Sequence, residues 1–196
     1  MSRKKIVILC GSPRRAGNTR TLAEWAAEGA RKAGVDVELI DLTGLCYAAC
    51  GCTSCYGCQR IAEYRCVLND EASELLARLP AADALVIATP IYFFGPSAQT
   101  KVFLDRCFSL AKFDEEGNAT SALKGKTIAL IASAGGEIHE GLKIVEDTFR
   151  IFAEFVGGPY ASFLAPRAPM EEGALARDAI LKEKATAFGA TLASSL

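Results

Sequence analysis

Short apolar runs alternate about five times with longer amphipathic stretches, and this rhythm constrains the chain more than any single residue does. Ile6-Val-Ile-Leu-Cys10 is β-branched, uninterrupted and stopped by Gly11, the pattern of a strand buried on both faces. Val35 to Leu42 alternates as a second strand, and Ala84-Leu-Val-Ile-Ala88 forms a third, ended by Thr89-Pro90. Thr127 to Ala134 is a fourth, closed by Gly135-Gly136, and Tyr160 to Leu164 a fifth. Between them, apolar residues recur at helical spacing: Leu22, Trp25, Ala26, Ala30 and Ala33 before Gly34, and Leu142, Val145, Phe149, Phe152 and Val156; Val102, Phe103, Arg106, Cys107 and Leu110 suggest an amphipathic helix. Residues 172–193 close the chain as a helix. Alternation of this kind predicts an α/β fold, a parallel sheet covered on both faces, with the loops after the strands gathered along one edge. A length of 196 residues with 51% hydrophobic content suffices for one core, so one domain over 1–196 is expected, without repeats.

Charge excludes some partners. With 22 basic and 23 acidic residues, the net charge of -1 gives no global field toward nucleic acid or an anionic membrane. Ile6 to Cys10 is too short for a secretory apolar segment and no cleavage site follows it. Ile128 to Ala134 falls far below the roughly 18 residues needed to span a bilayer. A cytoplasmic protein is the expectation.

The segment Gly11-Ser-Pro-Arg-Arg-Ala-Gly-Asn-Thr19 joins the first strand to the first helix. Gly11 and Gly17 let backbone N–H groups approach an anion, and the helix beginning near Thr19 directs its positive end to the same place. Ser12, Asn18 and Thr19 add side-chain donors, and Arg14 adds a charged fork suited to phosphate. The segment is not a Walker A loop, because Asn18 stands where the lysine would be, nor a G-x-G-x-x-G turn, because Pro13 replaces the second glycine. A terminal phosphate monoester fits it better than a pyrophosphate. A plain helix cap would account for Ser12 and Thr19 but not for Arg14 and Asn18 together.

Six of the eight cysteines fall between residues 46 and 66. Cys52-Thr-Ser-Cys55-Tyr-Gly-Cys58 followed by Cys66 gives C-x2-C-x2-C-x7-C, in which three closely stepped thiolates and a fourth from a short loop match all-cysteine ligation of a [4Fe–4S] cluster. Two other readings stay open. Structural zinc usually takes two separated C-x2-C pairs, and the thiols could be unligated. Cys50 competes with Cys52 as a ligand, while Cys10 and Cys107 read as buried small hydrophobes.

Gly11-Ser-Pro-Arg14, Gly17-Asn-Thr19 and Leu22 resemble the FMN phosphate loop of the NAD(P)H-dependent FMN reductase superfamily, and Thr89-Pro-Ile-Tyr-Phe-Phe-Gly-Pro-Ser97 with Lys101-Val-Phe-Leu-Asp-Arg106 resembles its second signature. The cysteine spacing is similar to the compact motif of its iron-sulfur flavoprotein branch. The resemblance implies a flavodoxin-like three-layer sandwich with a five-stranded parallel sheet in order 2-1-3-4-5, and a cluster-binding insertion at about 46–68. It implies FMN held by Ser12, Pro13, Arg14, Gly17, Asn18 and Thr19 at the phosphate. Pro90, Ile91, Tyr92, Phe93 and Phe94, with Ser133, Gly135 and Gly136, would then face the ring. The aromatics of that wall have an ordinary alternative as core or interface residues. Cys52, Cys55, Cys58 and Cys66 would hold the cluster.

An FMN-dependent oxidoreductase follows, a homodimer or homotetramer exchanging electrons with NAD(P)H, ferredoxin or another small partner, without a catalytic side chain. Two alternatives remain: an NAD(P)H-dependent FMN or quinone reductase without a cluster, and a non-enzymatic metal-binding or thiol-sensing module. Lys101, Asp105 and Arg106 read as helix-surface charges in a salt bridge rather than as catalytic groups, since Lys101 and Asp105 are four apart. His139 has no partner in sequence, and Lys112 to Lys126 is a candidate cover for the ring or part of an interface.

Overall fold

The computed structural model describes residues 3–196. Eight strands and five α-helices follow one another as β1 (Lys5–Cys10), α1 (Asn18–Lys32), β2 (Asp36–Asp41), α2 (Glu71–Arg78), β3 (Ala84–Tyr92), β4 (Gly95–Pro96), α3 (Ala98–Arg106), β5 (Ala111–Phe113), β6 (Ala119–Ser121), β7 (Thr127–Ser133), α4 (Lys143–Val156), β8 (Tyr160–Ala165) and α5 (Ala179–Ser194). The main sheet runs β2-β1-β3-β7-β8, with every one of these pairings parallel. Counting only these strands gives the expected order 2-1-3-4-5. The short β4 folds back antiparallel onto the end of β3, and β5 and β6 form a separate hairpin.

Uninterrupted apolar strands place side chains on both faces of this sheet, and each face carries its own core. Val7, Leu9, Leu85, Ile87, Ile128 and Leu130 meet Leu75, Leu76, Phe103, Val145 and Phe149 from α2, α3 and α4. Ile6, Ile8, Val86, Ala129 and Ile131 meet Leu22, Trp25, Ala26 and Leu192 from α1 and α5. Each fully buried large apolar side chain contributes about 1.5–3 kcal/mol relative to exposure. Helices α1 and α5 pack backbone to backbone: a Cβ on Gly29 would lie 1.9 Å from the carbonyl oxygen of Thr186, and one on Gly189 would lie 1.9 Å from that of Ala26.

Three local expectations change. The closing helix starts not at residue 172 but at Ala179, where the Asp178 side chain accepts from Leu181 N–H and caps it. The third strand does not end at Thr89-Pro90 but continues to Tyr92. Pairing with β1 stops at Ala88, so beyond it β3 has β7 alone as a parallel neighbour, with Pro90 opposite Ser133. A proline without an N–H is tolerated at such an edge. Arg106 sits on the helix beside the exposed Lys101–Asp105 pair (2.5 Å), yet its side chain is fully buried.

Candidate functional site

The turn after β1 is fixed from behind. Gly11 N–H donates to the Ala88 carbonyl at 2.8 Å. A Cβ there would lie 1.9 Å from Thr100 Oγ1, so α3 can start against this turn only because residue 11 is glycine. Ser97 caps α3 by accepting from Thr100 N–H at 3.2 Å, and its hydroxyl donates to the Gly11 carbonyl at 2.6 Å. Thr89 Oγ1 accepts from Ser97 N–H at 3.0 Å. Thr19 and Ser133 share a buried hydroxyl–hydroxyl bond of 2.7 Å, which locks the first turn of α1 to the end of β7.

In front of the turn lies a cleft of about 360 Å³, within the range of small-ligand sites. Ser12, Arg14, Gly17, Asn18 and Thr19 line one end. Helix α1 begins at Gly17 with no side-chain cap and no acidic residue in its first turn, so its N–H groups and positive end stay available to an anion. Asn18 Oδ1 is buried without a hydrogen-bond partner, an orphaned polar atom inside the cleft wall. Pro90, Ile91 and Tyr92 form a second wall, and Ser133, Ala134 and Gly135 the floor. These residue types suit FMN: charged and neutral donors at the phosphate end, an apolar wall for a flat ring, and loop backbone beside it.

Four of the expected contacts fall outside this lining: Pro13, Phe93, Phe94 and Gly136. Phe93 and Phe94 occupy the tight turn between β3 and β4, both with left-handed backbone (φ 46° and 67°). That turn needs positive φ at both central positions, and neither residue is glycine, so the turn is strained. It directs Phe93 outward, 96% exposed. Three lining residues were not anticipated, Ala168, Pro169 and Met170 after β8. They close over the phosphate end: Arg14 Nη1 donates to the Met170 carbonyl at 3.0 Å, and Asn18 Nδ2 to the Pro169 carbonyl at 2.6 Å. The signal that could have found them is their place after the fifth strand, since loops after parallel strands share one edge.

The cysteines occupy the long connection between β2 and α2. Cys52, Cys55, Cys58 and Cys66 all line one narrow crevice, whereas the exposed Cys46 and Cys50 do not. Ser54 and Tyr56 take left-handed backbone (φ 53° and 54°), which wraps the chain tightly through the C-x2-C-x2-C run. The N–H of Gly57 and the Thr53 hydroxyl hold the Cys55 thiol below its ordinary value. The sulfurs do not converge on a point: among the described residues no three His, Cys, Asp or Glu side chains are arranged around a single ion. A mononuclear zinc site requires four ligands within about 2.3 Å of one centre, whereas each thiolate of a cubane binds its own iron. Cys10, the last residue of β1, is buried on the sheet face covered by α1 and α5, where desolvation raises its thiol pKa. Cys107 is only partly buried, packed against the core.

Two devices hold the cysteine connection. Arg106 Nη1 and Nη2 grip Asp70 at 2.6 and 2.8 Å, and Asp70 also accepts from Ala48 N–H (2.8 Å) and Ser73 N–H (2.9 Å), capping α2. The β5–β6 hairpin supplies the second. Lys112 Nζ donates to the carbonyls of Cys58 and Ile61, and Gln59 Nε2 donates to the Ala111 carbonyl at 2.9 Å. No residue of 112–126 lines the cleft, and Lys112 from this segment clamps the cysteine loop. His139 is exposed in the turn before α4.

The family described as NADPH-dependent FMN reductase matches residues 4–165, a stretch running from β1 through the last residue of β8. An iron-sulfur flavoprotein of Methanocaldococcus jannaschii is 30% identical over 155 residues, 79% of this chain and 76% of that protein. An FMN-dependent NADH:quinone oxidoreductase of Burkholderia pseudomallei is 32% identical over 134 residues, 62% of this chain and 66% of its own. The solved NAD(P)H:quinone oxidoreductase from Methanothermobacter marburgensis superposes with a TM-score of 0.70 at 20% identity, over 98% of both chains, a likeness of fold. The match thus takes in every strand of the parallel sheet together with the turns at its carboxyl edge, and the chain belongs to the NADPH-dependent FMN reductase family as an FMN-dependent oxidoreductase with relatives among the iron-sulfur flavoproteins.

Proposed function

We propose that the protein is a cytoplasmic electron-transfer flavoprotein whose FMN occupies the cleft at the carboxyl edge of the sheet and whose four cysteines hold a [4Fe–4S] cluster. One observation carries the reading. Five of the six residues expected to grip a phosphate, all but Pro13, gather on one cleft, and four cysteines in cluster spacing gather on a separate crevice.

Arg14, Asn18 and the N–H groups opening α1 would take the phosphate, the arginine as a two-pronged donor. Pro90 to Tyr92 would orient the ring and exclude water from one face, and the backbone of Ser133 to Gly135 would meet its polar edge. Bound FMN interconverts two-electron and one-electron transfer, and a cluster relays single electrons. No acid, base or nucleophile from the chain is required. The cysteine crevice has room for about one water-sized body, so taking up a cluster requires the loop between Cys46 and Val67 to open around it, coupling assembly to loop ordering. The electron donor in this reading is NAD(P)H or ferredoxin, and the working form is a homodimer or homotetramer.

A second reading, an FMN or quinone reductase without a cluster, draws on the narrowness of that crevice and on the quinone oxidoreductase relative. Protein purified under nitrogen decides between them. FMN with about four irons per chain supports the electron-transfer reading. FMN alone, with turnover of a reduced nicotinamide, supports the second. Metal or free thiols without flavin would leave a thiol module.

A further inference from the structure

We infer that Arg106 is the buried hydrogen-bond donor to the sulfur face of the four-cysteine site and sets the cluster's reduction potential. The inference rests on the cluster reading above and concerns a residue that the cysteine spacing does not reveal.

Arg106 is among the largest fully buried side chains in the protein, 1% exposed. Its two terminal nitrogens are spent on Asp70. Three of its five N–H groups are left over, and one of these, Nε–H, is buried and has no partner among the described residues. Arg106 lines the same crevice as Cys52, Cys55, Cys58 and Cys66, and Cys66 is the thiol beside its guanidinium. Leaving a buried donor unsatisfied is costly, most of all on a charged group. A chain would gain by satisfying it, and the thiol beside it is that of Cys66.

The shape of the side chain explains why arginine fits this place. Guanidinium offers a flat fork on one side and Nε–H on the adjacent edge. The fork can stay on Asp70 while the edge meets a thiolate or sulfide. A lysine could neutralise Asp70 but could not present a second donor in a fixed direction. A [4Fe–4S] core with four thiolates is anionic and gains one more negative charge on reduction. A buried N–H directed at its sulfur therefore favours the reduced form and raises the potential. The Asp70 carboxylate cancels most of the arginine's charge, so the hydrogen bond supplies the effect more than the net field does.

The test compares anaerobic wild-type protein, Arg106→Lys and the neutral pair Asp70→Asn/Arg106→Gln. Each is poised with dithionite and mediators and read by electron paramagnetic resonance of the reduced cluster. Iron, FMN and circular dichroism are measured on the same samples. The expected result is retention of iron and FMN with a lower midpoint, such that the oxidised-to-reduced ratio at fixed potential rises about tenfold, ~59 mV for one electron. An unchanged midpoint in iron-replete variants overturns the inference and leaves the cluster reading standing. Absence of iron from the wild-type protein overturns both. Should the variants fail to fold, wild-type protein grown on arginine labelled with ¹⁵N at Nε decides instead: a ¹⁵N coupling to the reduced cluster supports the assignment, and its absence refutes it.

Discussion

Asp70→Asn tests how the cysteine connection is held to the rest of the fold. The carboxylate is 4% exposed, grips a guanidinium that is 0% exposed, and accepts from the N–H groups of Ala48 and Ser73. Burial acts to raise its pKa, but the Arg106 fork and the two N–H donors outweigh burial and bring it down to about 2. The folded value lies below the unfolded value of ~3.9, so the group's contribution is fully present above pH ~4–5 and fades as pH falls through ~2. It amounts to about 2–3 kcal/mol. Replacement by the isosteric amide also strands Arg106 as a buried, unpaired cation, and breaking a buried pair from one side costs about 3–5 kcal/mol.

With a urea slope of ~2 kcal/mol/M, the unfolding midpoint at pH 7 should fall by about 1.5–2.5 M. It is followed by circular dichroism and by Trp25 emission in FMN-saturated samples. The gap between variant and wild type should narrow by about 1 kcal/mol at pH 3, as wild-type Asp70 starts to protonate on unfolding. A midpoint change below ~0.5 M at neutral pH, or a gap that widens in acid, would refute the claim that this pair anchors the loop.

Arg14→Ala should weaken FMN binding about 10- to 100-fold through loss of a charge-assisted donor, measured calorimetrically, with iron content unchanged. Cys55→Ser should lower bound iron while sparing FMN; unchanged iron removes Cys55 from the ligand set. Gly11→Ala forces a Cβ to 1.9 Å from Thr100 Oγ1, so α3 must shift, at a cost of about 1–3 kcal/mol, and thermal unfolding and FMN affinity should fall together. Lys112→Met leaves the carbonyls of Cys58 and Ile61 without their shared donor. It should speed iron loss to a chelator severalfold while FMN affinity stays within twofold of wild type.

The residue pattern alone specified the sheet. Continuous β-branched runs such as Ile6–Cys10 and Ala84–Ala88 have few alternatives to burial on both faces, and glycine or proline at their ends fixed where the chain turns. The grouping of the proposed phosphate turn was equally readable, because a helix start is local: Ser12, Arg14, Gly17, Asn18 and Thr19 lie within a few residues of one another and line one cleft. The cysteine spacing was local too.

Contacts across long sequence separation were not readable. Ala168 to Met170 reach the phosphate end from more than 150 residues away, and only the order of strands brings them there. Arg106 read as one of three charges on a helix surface. Its burial depends on Asp70, 36 residues earlier, and on the cysteine connection packed over both. The outward direction of Phe93 is set by the hairpin turn, and the reach of Lys112 to the cysteine loop by β5; neither could be read from neighbours in the chain. Secondary structure and an anion turn follow from neighbours in the chain. Which charge is buried, and which loop a hairpin clamps, is decided only when distant segments compete for the same space and the same hydrogen bonds.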